Sequence, residues 1–149
     1  MYITLEADYA VRIVSALCLD RGRIDAGTLS ERTCVTLRFA LKILRKLVAA
    51  DLVKSYKGSQ GGYQLKCEPK DITLRMVIEA IEGTYYFSRC LSPDCECSRG
   101  ADGVCCHQKA FGEITRSVIQ QLDSYNFDDL IKSSDEWKND YISTQASAP

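Results

Sequence analysis

The sequence predicts a mainly α-helical fold carrying one small β element, and three observations point to it. Apolar residues recur at three- and four-residue steps through most of the chain. Two short β-rich runs, LVKSY and YQLK, flank the glycine-bearing tip GSQGG. Helix caps and stops such as Thr36, Thr73 and Gly83 stand where the periodicities begin and end. At 149 residues the chain has the length of one ordinary domain and can bury a real core.

In order, residues 3–20 read as a helix, with Tyr9, Ile13, Ala16 and Leu17 on one face and Ala10, Val14 and Cys18 beside it. RGRIDAG is a turn, and Ala26 to Thr33 a short helix. Thr36 is expected to cap a stronger helix, TLRFALKILRKLVAADL, whose buried stripe is Leu37, Leu41, Leu44, Leu47 and Val48. Leu52–Tyr56 and Tyr63–Lys66 read as strands of a hairpin, because GSQGG tolerates the positive φ such a turn needs. Thr73 caps TLRMVIEAIEG, which Gly83 ends. After a cysteine-rich loop, residues 108–124 form an amphipathic helix with Phe111, Ile114, Val118 and Leu122 on one face and Ile119 widening it. Asn126 to Ile131 reads as a short helix, and a frayed tail follows from Ser133.

Helix, short helix, longer helix and two-stranded wing is the order of a winged helix-turn-helix, in which the helix after the turn enters the major groove. Charge is placed to match. The formal net charge is only −1, yet Arg32 to Lys57 holds seven basic residues and one acid, whereas Gly112 to Pro149 holds seven acids and three basic residues. A local basic face is what phosphate binding requires, so the near-neutral total does not argue against a double-stranded DNA partner.

Five of the eight cysteines fall in CLSPDCECSRGADGVCC, Cys90 to Cys106. The start of the chain has Glu6 and Asp8 where a secretory signal would be positive, and no apolar run approaches a membrane span, so a cytoplasmic location with no membrane partner is expected. Thiols stay reduced there, and clustered cysteines in that setting bind metal or react rather than form a disulfide knot. Zinc is one candidate, but C-x-C and adjacent Cys-Cys are poor spacings for a structural zinc site, which favours C-x2-C pairs. An enzyme is not expected: there is no C-x-x-C at a helix start, no Ser/His/Asp set and no nucleotide-binding loop, and no small-molecule substrate is evident.

Taken together, DYAVRIVSALC, LVKSYKGSQGGYQL, ITLRMVIEAIEG and the cysteine loop resemble the IscR/NsrR-type (Rrf-two) family of winged helix-turn-helix transcriptional regulators, over about residues 1–132. The resemblance implies a homodimeric regulator, usually a repressor, that senses iron, iron–sulfur status, nitric oxide or redox state through a cysteine-ligated iron–sulfur cluster. It divides the chain into a DNA-binding unit at 1–83, a cluster loop at 84–107, a dimerisation helix with a short helix at 108–132, and a flexible tail at 133–149. It implies Cys90, Cys97 and Cys105 as ligands of a 2Fe–2S or 4Fe–4S cluster, with Cys95, Cys106 and His107 as alternates. Six residues separate the first two and seven the last two, the second gap being slightly long for the family. Asp8, from the partner subunit, stands where some relatives supply a fourth ligand; Asp8 also suits a solvated acid of the first helical turn. Some relatives hold no cluster and sense through thiols or a protein partner, and an aerobic sample can be apo. For DNA, the resemblance implies Thr36, Arg38, Phe39 and Lys42 on the reading helix and Lys57, Ser59, Gln60 and Gly61 on the wing.

Overall fold

The computed structural model describes residues 2–58 and 60–133. Helix α1, Leu5–Asp20, starts at Thr4, whose hydroxyl accepts from Ala7 N, and stops at Arg21 in the left-handed region. It opens two residues later than expected because Thr4 supplies the cap. Its buried residues, Ala7, Ala10, Ile13, Val14, Ala16, Leu17 and Cys18, spread over more than one face. That breadth fits its position: α1 packs against four other helices.

Helix α2, Ala26–Thr33, is capped by Asp25, which accepts from Thr28 N. Cys34 closes it at φ 53°, and helix α3, Leu37–Ala49, follows. The core side of α3 is Ala40, Ile43, Leu44 and Leu47. This corrects the expected stripe by part of a turn: Leu37 is 47% exposed, and Leu41 and Val48 are half-buried. Leu37 lies in the first turn, ahead of the point where α3 meets the core, and the small Ala40 lets the helices approach closely instead.

Strands β1, Val53–Tyr56, and β2, Gly62–Leu65, pair antiparallel with Val53 opposite Leu65 and Tyr56 opposite Gly62. The connector between α1 and α2 adds to the far edge of β2: Ile24 N donates to Tyr63 O at 3.0 Å and Tyr63 N to Ile24 O at 2.8 Å. The wing is therefore tied to the helix-turn-helix on the side opposite α3.

Helix α4, Leu74–Glu82, is capped by Thr73 and ended by Gly83 at φ 83°. Helix α5 runs Cys106–Ser124, so Cys106 and His107 are helical and the loop is shorter than expected. No side-chain cap announces this start in the sequence, since Cys105 at the cap position makes no capping bond. Helix α6, Phe127–Lys132, begins at Asn126, which accepts from Asp129 N. It folds back onto the winged unit: Phe127 is fully buried, Phe127 N donates to Ile72 O, and Leu74 N donates to Tyr125 O. Of the expected tail only Ser133 lies within the described residues.

Candidate functional site

Thr36, Arg38 and Phe39 are exposed together at the N-terminal end of α3. Thr36 holds the cap position, but its hydroxyl makes no cap bond, so the expected capping role is corrected and the hydroxyl stays available to a ligand. Arg38 has no ion-pair partner among the described residues. Phe39 packs edge-on against Tyr9 of α1, ring centroids 5.8 Å apart. Lys42 Nζ lies 5.6 Å from the centre of the Phe39 ring and 3.0 Å from Glu6 Oε2.

On the wing, Lys57 and Gln60 are exposed and Gly61 is half-buried; Ser59 lies outside the described residues. Gly61 N donates to Gly58 O at 2.9 Å, and a Cβ on Gly61 would stand 2.6 Å from Tyr56 O, so only glycine closes this tip. The Arg23 guanidinium lies 3.8 Å from the centre of the Tyr56 ring, adding a stacked cation at the wing base. Sequence reading missed Arg23, because its place depends on the connector pairing with β2.

Arg45 on α3 and Lys54 on β1 are also exposed. Glu6 of α1 is the acid that meets α3. Its side chain is only 18% exposed, with Lys46 Nζ 2.9 Å from Oε1 and Lys42 on Oε2. The Lys46 ammonium is the main cause that holds the Glu6 carboxyl below its ordinary range; burial opposes it and Lys42 adds to the lowering.

The cysteine loop joins α4 to α5. Cys90 lies in a short 3-10 turn, Arg89–Leu91, its sulfur 3.3 Å from Ser88 Oγ. Cys90, Cys95, Cys97 and Cys105 are half-buried and Cys106 is exposed. Gln108 staples the ends of the loop, donating to Cys90 O and accepting from Gly103 N, each at 3.0 Å. This side chain, whose place in the loop could not be read from spacing alone, keeps Cys90 near the start of α5. His107 Nδ1 is 3.9 Å from Cys105 Sγ. Asp8 pairs with Arg12 one turn on, at 2.7 Å. The described residues bring no three Cys, His, Asp or Glu side chains together in a group that could hold a metal ion. Cys18 is buried in α1, where desolvation pushes its thiol up to about 12.

A helix-turn-helix with an exposed basic reading helix, a β-wing and a following helix beyond a cysteine loop defines a winged-helix DNA-binding regulator. The family model described as "Rrf2: Iron-dependent Transcriptional regulator" matches residues 3–133, and the chain belongs to this Rrf2 family. It is 33% identical over 92 residues to the HTH-type transcriptional regulator IscR of Aliivibrio salmonicida, covering 60% of this chain and 55% of that one. Among solved structures it is similar to the IscR of T. potens, with a TM-score of 0.72 at 24% identity, covering 91% of this chain and 90% of the other. It is also similar to CymR of B. subtilis, with a TM-score of 0.73 at 25% identity, covering 91% and 99%. No helix among the described residues is long and apolar enough to cross a membrane.

Proposed function

We propose that this transcriptional regulator is a homodimeric repressor that reads double-stranded DNA with α3 and the wing and takes its signal through an iron–sulfur cluster on the α4–α5 loop. The observation that carries the cluster is the placement of five accessible or half-buried thiols on one short loop with its base stapled by Gln108. The donor set fits the group: thiolates are the usual ligands of such clusters, and Cys95, Cys97 and Cys105 lie on irregular backbone that can wrap one, between Cys90 in a 3-10 turn and Cys106 at the start of α5. Cys90, Cys97 and Cys105 would hold it, with Cys95, Cys106 and His107 beside them. A bound cluster supplies a redox- and nitric-oxide-sensitive centre. Because the three thiols are not gathered beforehand, closure of the loop would be coupled to cluster uptake. Asp8 of the second subunit would have to leave Arg12 to serve as fourth ligand.

Anaerobic purification followed by iron, sulfide and visible-absorption measurements tests this. Iron with sulfide and a broad visible band are expected. Cys97→Ala should remove the band after reconstitution, and Cys67→Ala, outside the loop, should keep it. A Cys97→Ala protein that retains full iron and colour would exclude Cys97 as ligand.

The ungathered thiols also favour a second reading, direct thiol sensing without a cluster. One structural neighbour is described as a global cysteine regulator. Protein that stays colourless after reconstitution while its loop thiols oxidise reversibly would select this reading.

A further inference from the structure

Lys42 and Lys46 project from α3 toward the first turn of α1, where Glu6 meets both. The two contacts differ in kind. Lys46 Nζ lies against Glu6 Oε1 and also donates to Ile81 O at 3.1 Å, at the end of α4. Oε1 is buried, with the Lys46 ammonium 2.9 Å away. Lys46 thus acts inward, as a latch among α1, α3 and α4. Lys42, whose side chain is 54% exposed, acts at the surface.

Glu6 cannot easily swing away. The turn that bears it is fastened by Thr4, whose N and Oγ1 both donate to Glu82 Oε1, at 2.9 and 2.7 Å. The Phe39 ring, itself lodged against Tyr9, flanks Lys42. A carboxylate is therefore fixed on the Lys42 ammonium.

We propose that Glu6 is an internal competitor for the DNA backbone: its carboxylate occupies Lys42, so that this lysine adds to DNA affinity only when a phosphate displaces Glu6. This rests on the reading of α3 as the groove-facing helix. Displacement exchanges one ion pair for another. While Glu6 stays in place, Lys42 neutralises no phosphate and no counterion is released there. The effect is a reading helix whose outward cations are Arg38 and Arg45, with weak sequence-independent binding. Discrimination among DNA sites then depends more on base contacts than on phosphate charge.

The test is a salt titration of binding to a labelled random-sequence duplex, which reports phosphate contacts without knowledge of an operator. Glu6→Gln keeps the shape and removes the charge. It should bind the duplex several-fold more tightly at low salt, and the slope of log K against log salt should steepen by about 0.9, one phosphate contact. Lys42→Gln should cancel that gain in the Glu6→Gln background. Should Glu6→Gln fail to fold, Glu6→Asp, whose shorter side chain draws the carboxylate back from Lys42, takes its place: a steeper slope is expected, and a folded protein with the wild-type slope overturns the proposal. So does a folded Glu6→Gln protein with unchanged affinity and slope, which would make the pair a plain helix–helix contact. Binding of the duplex by neither wild type nor variant would overturn the DNA-facing reading of α3, and the competitor with it.

Discussion

Two cysteines near the helix-turn-helix show how surroundings decide chemistry at a single residue. Cys34 closes α2 in the left-handed region with its side chain in solvent, whereas Cys18 is packed inside α1 among core residues. Removing a thiolate from water is costly, which is why the Cys18 thiol rises from 9.0 to about 12. Only the thiolate attacks an alkylating reagent. At mildly alkaline pH, iodoacetamide should therefore modify Cys34 rapidly and leave Cys18 untouched until the protein unfolds. Peptide mass mapping of a time course checks this, and early labelling of Cys18 would contradict its burial. The linkage has the matching sign. A folded-state value above the unfolded one stabilises the native form at neutral pH, and that contribution is lost as pH rises from 9.0 toward about 12. Apolar helical neighbours suggest an inert core thiol at both Cys18 and Cys34; this holds for Cys18, beside Ile13, Val14 and Leu17, and fails for Cys34, which closes α2 in solvent.

At the scale of elements, the wing depends on a close approach that only glycine permits. Gly62 sits at φ 146°, and a Cβ there would meet Ile24 O at 2.8 Å. Gly62→Ala should push the connector off β2, breaking the Ile24–Tyr63 pairing, at a cost of about 2 kcal/mol. A lowered melting temperature with weakened duplex binding is the expected result; an unchanged melt would show that the connector yields without loss. The hairpin itself was readable, since alternating β-formers around GSQGG leave few alternatives. Its third edge was not, because Ile24 and Tyr63 are brought together by tertiary packing alone. Helix α3 shows the same division. Its existence followed from periodicity, yet with Leu37, Leu41, Ile43, Leu44, Leu47 and Val48 all apolar, the exact buried side was underdetermined. Contact with α1, α2 and α4 settled it on Ala40, Ile43, Leu44 and Leu47. The cysteine loop marked itself by composition, whereas the Gln108 staple and the double hold of Glu6 depend on how separate helices meet.

Across the whole molecule, α5 is the element whose burial is incomplete. In nineteen residues it has one buried side chain, Thr115, although Phe111, Ile114, Val118, Ile119 and Leu122 are apolar. Phe111 is engaged by Phe87 of the loop, ring centroids 5.4 Å apart, but Ile114 is 40% exposed and Val118, Ile119 and Leu122 are half-covered. Among the described residues α6 returns to the winged core and leaves that face of α5 uncovered. A symmetric pair would seat α5 against its mate and set two reading helices for half-sites about one DNA turn apart. Acids such as Glu113, Asp123 and Asp128 lie on α5 and α6, so phosphate attraction would fall on the α3 and wing side. Ile114→Glu places a charge in the centre of the apolar face, where pairing would have to desolvate it. The wild-type protein should elute with the mass of two chains in light-scattering chromatography, and Ile114→Glu with the mass of one, at unchanged helical circular dichroism. The monomer should keep weak binding to random duplex, since each winged unit is intact, but lose the tight binding that two linked half-sites give through effective concentration. A variant that stays dimeric would move the seam away from Ile114; a monomeric wild type would remove the two-site geometry altogether.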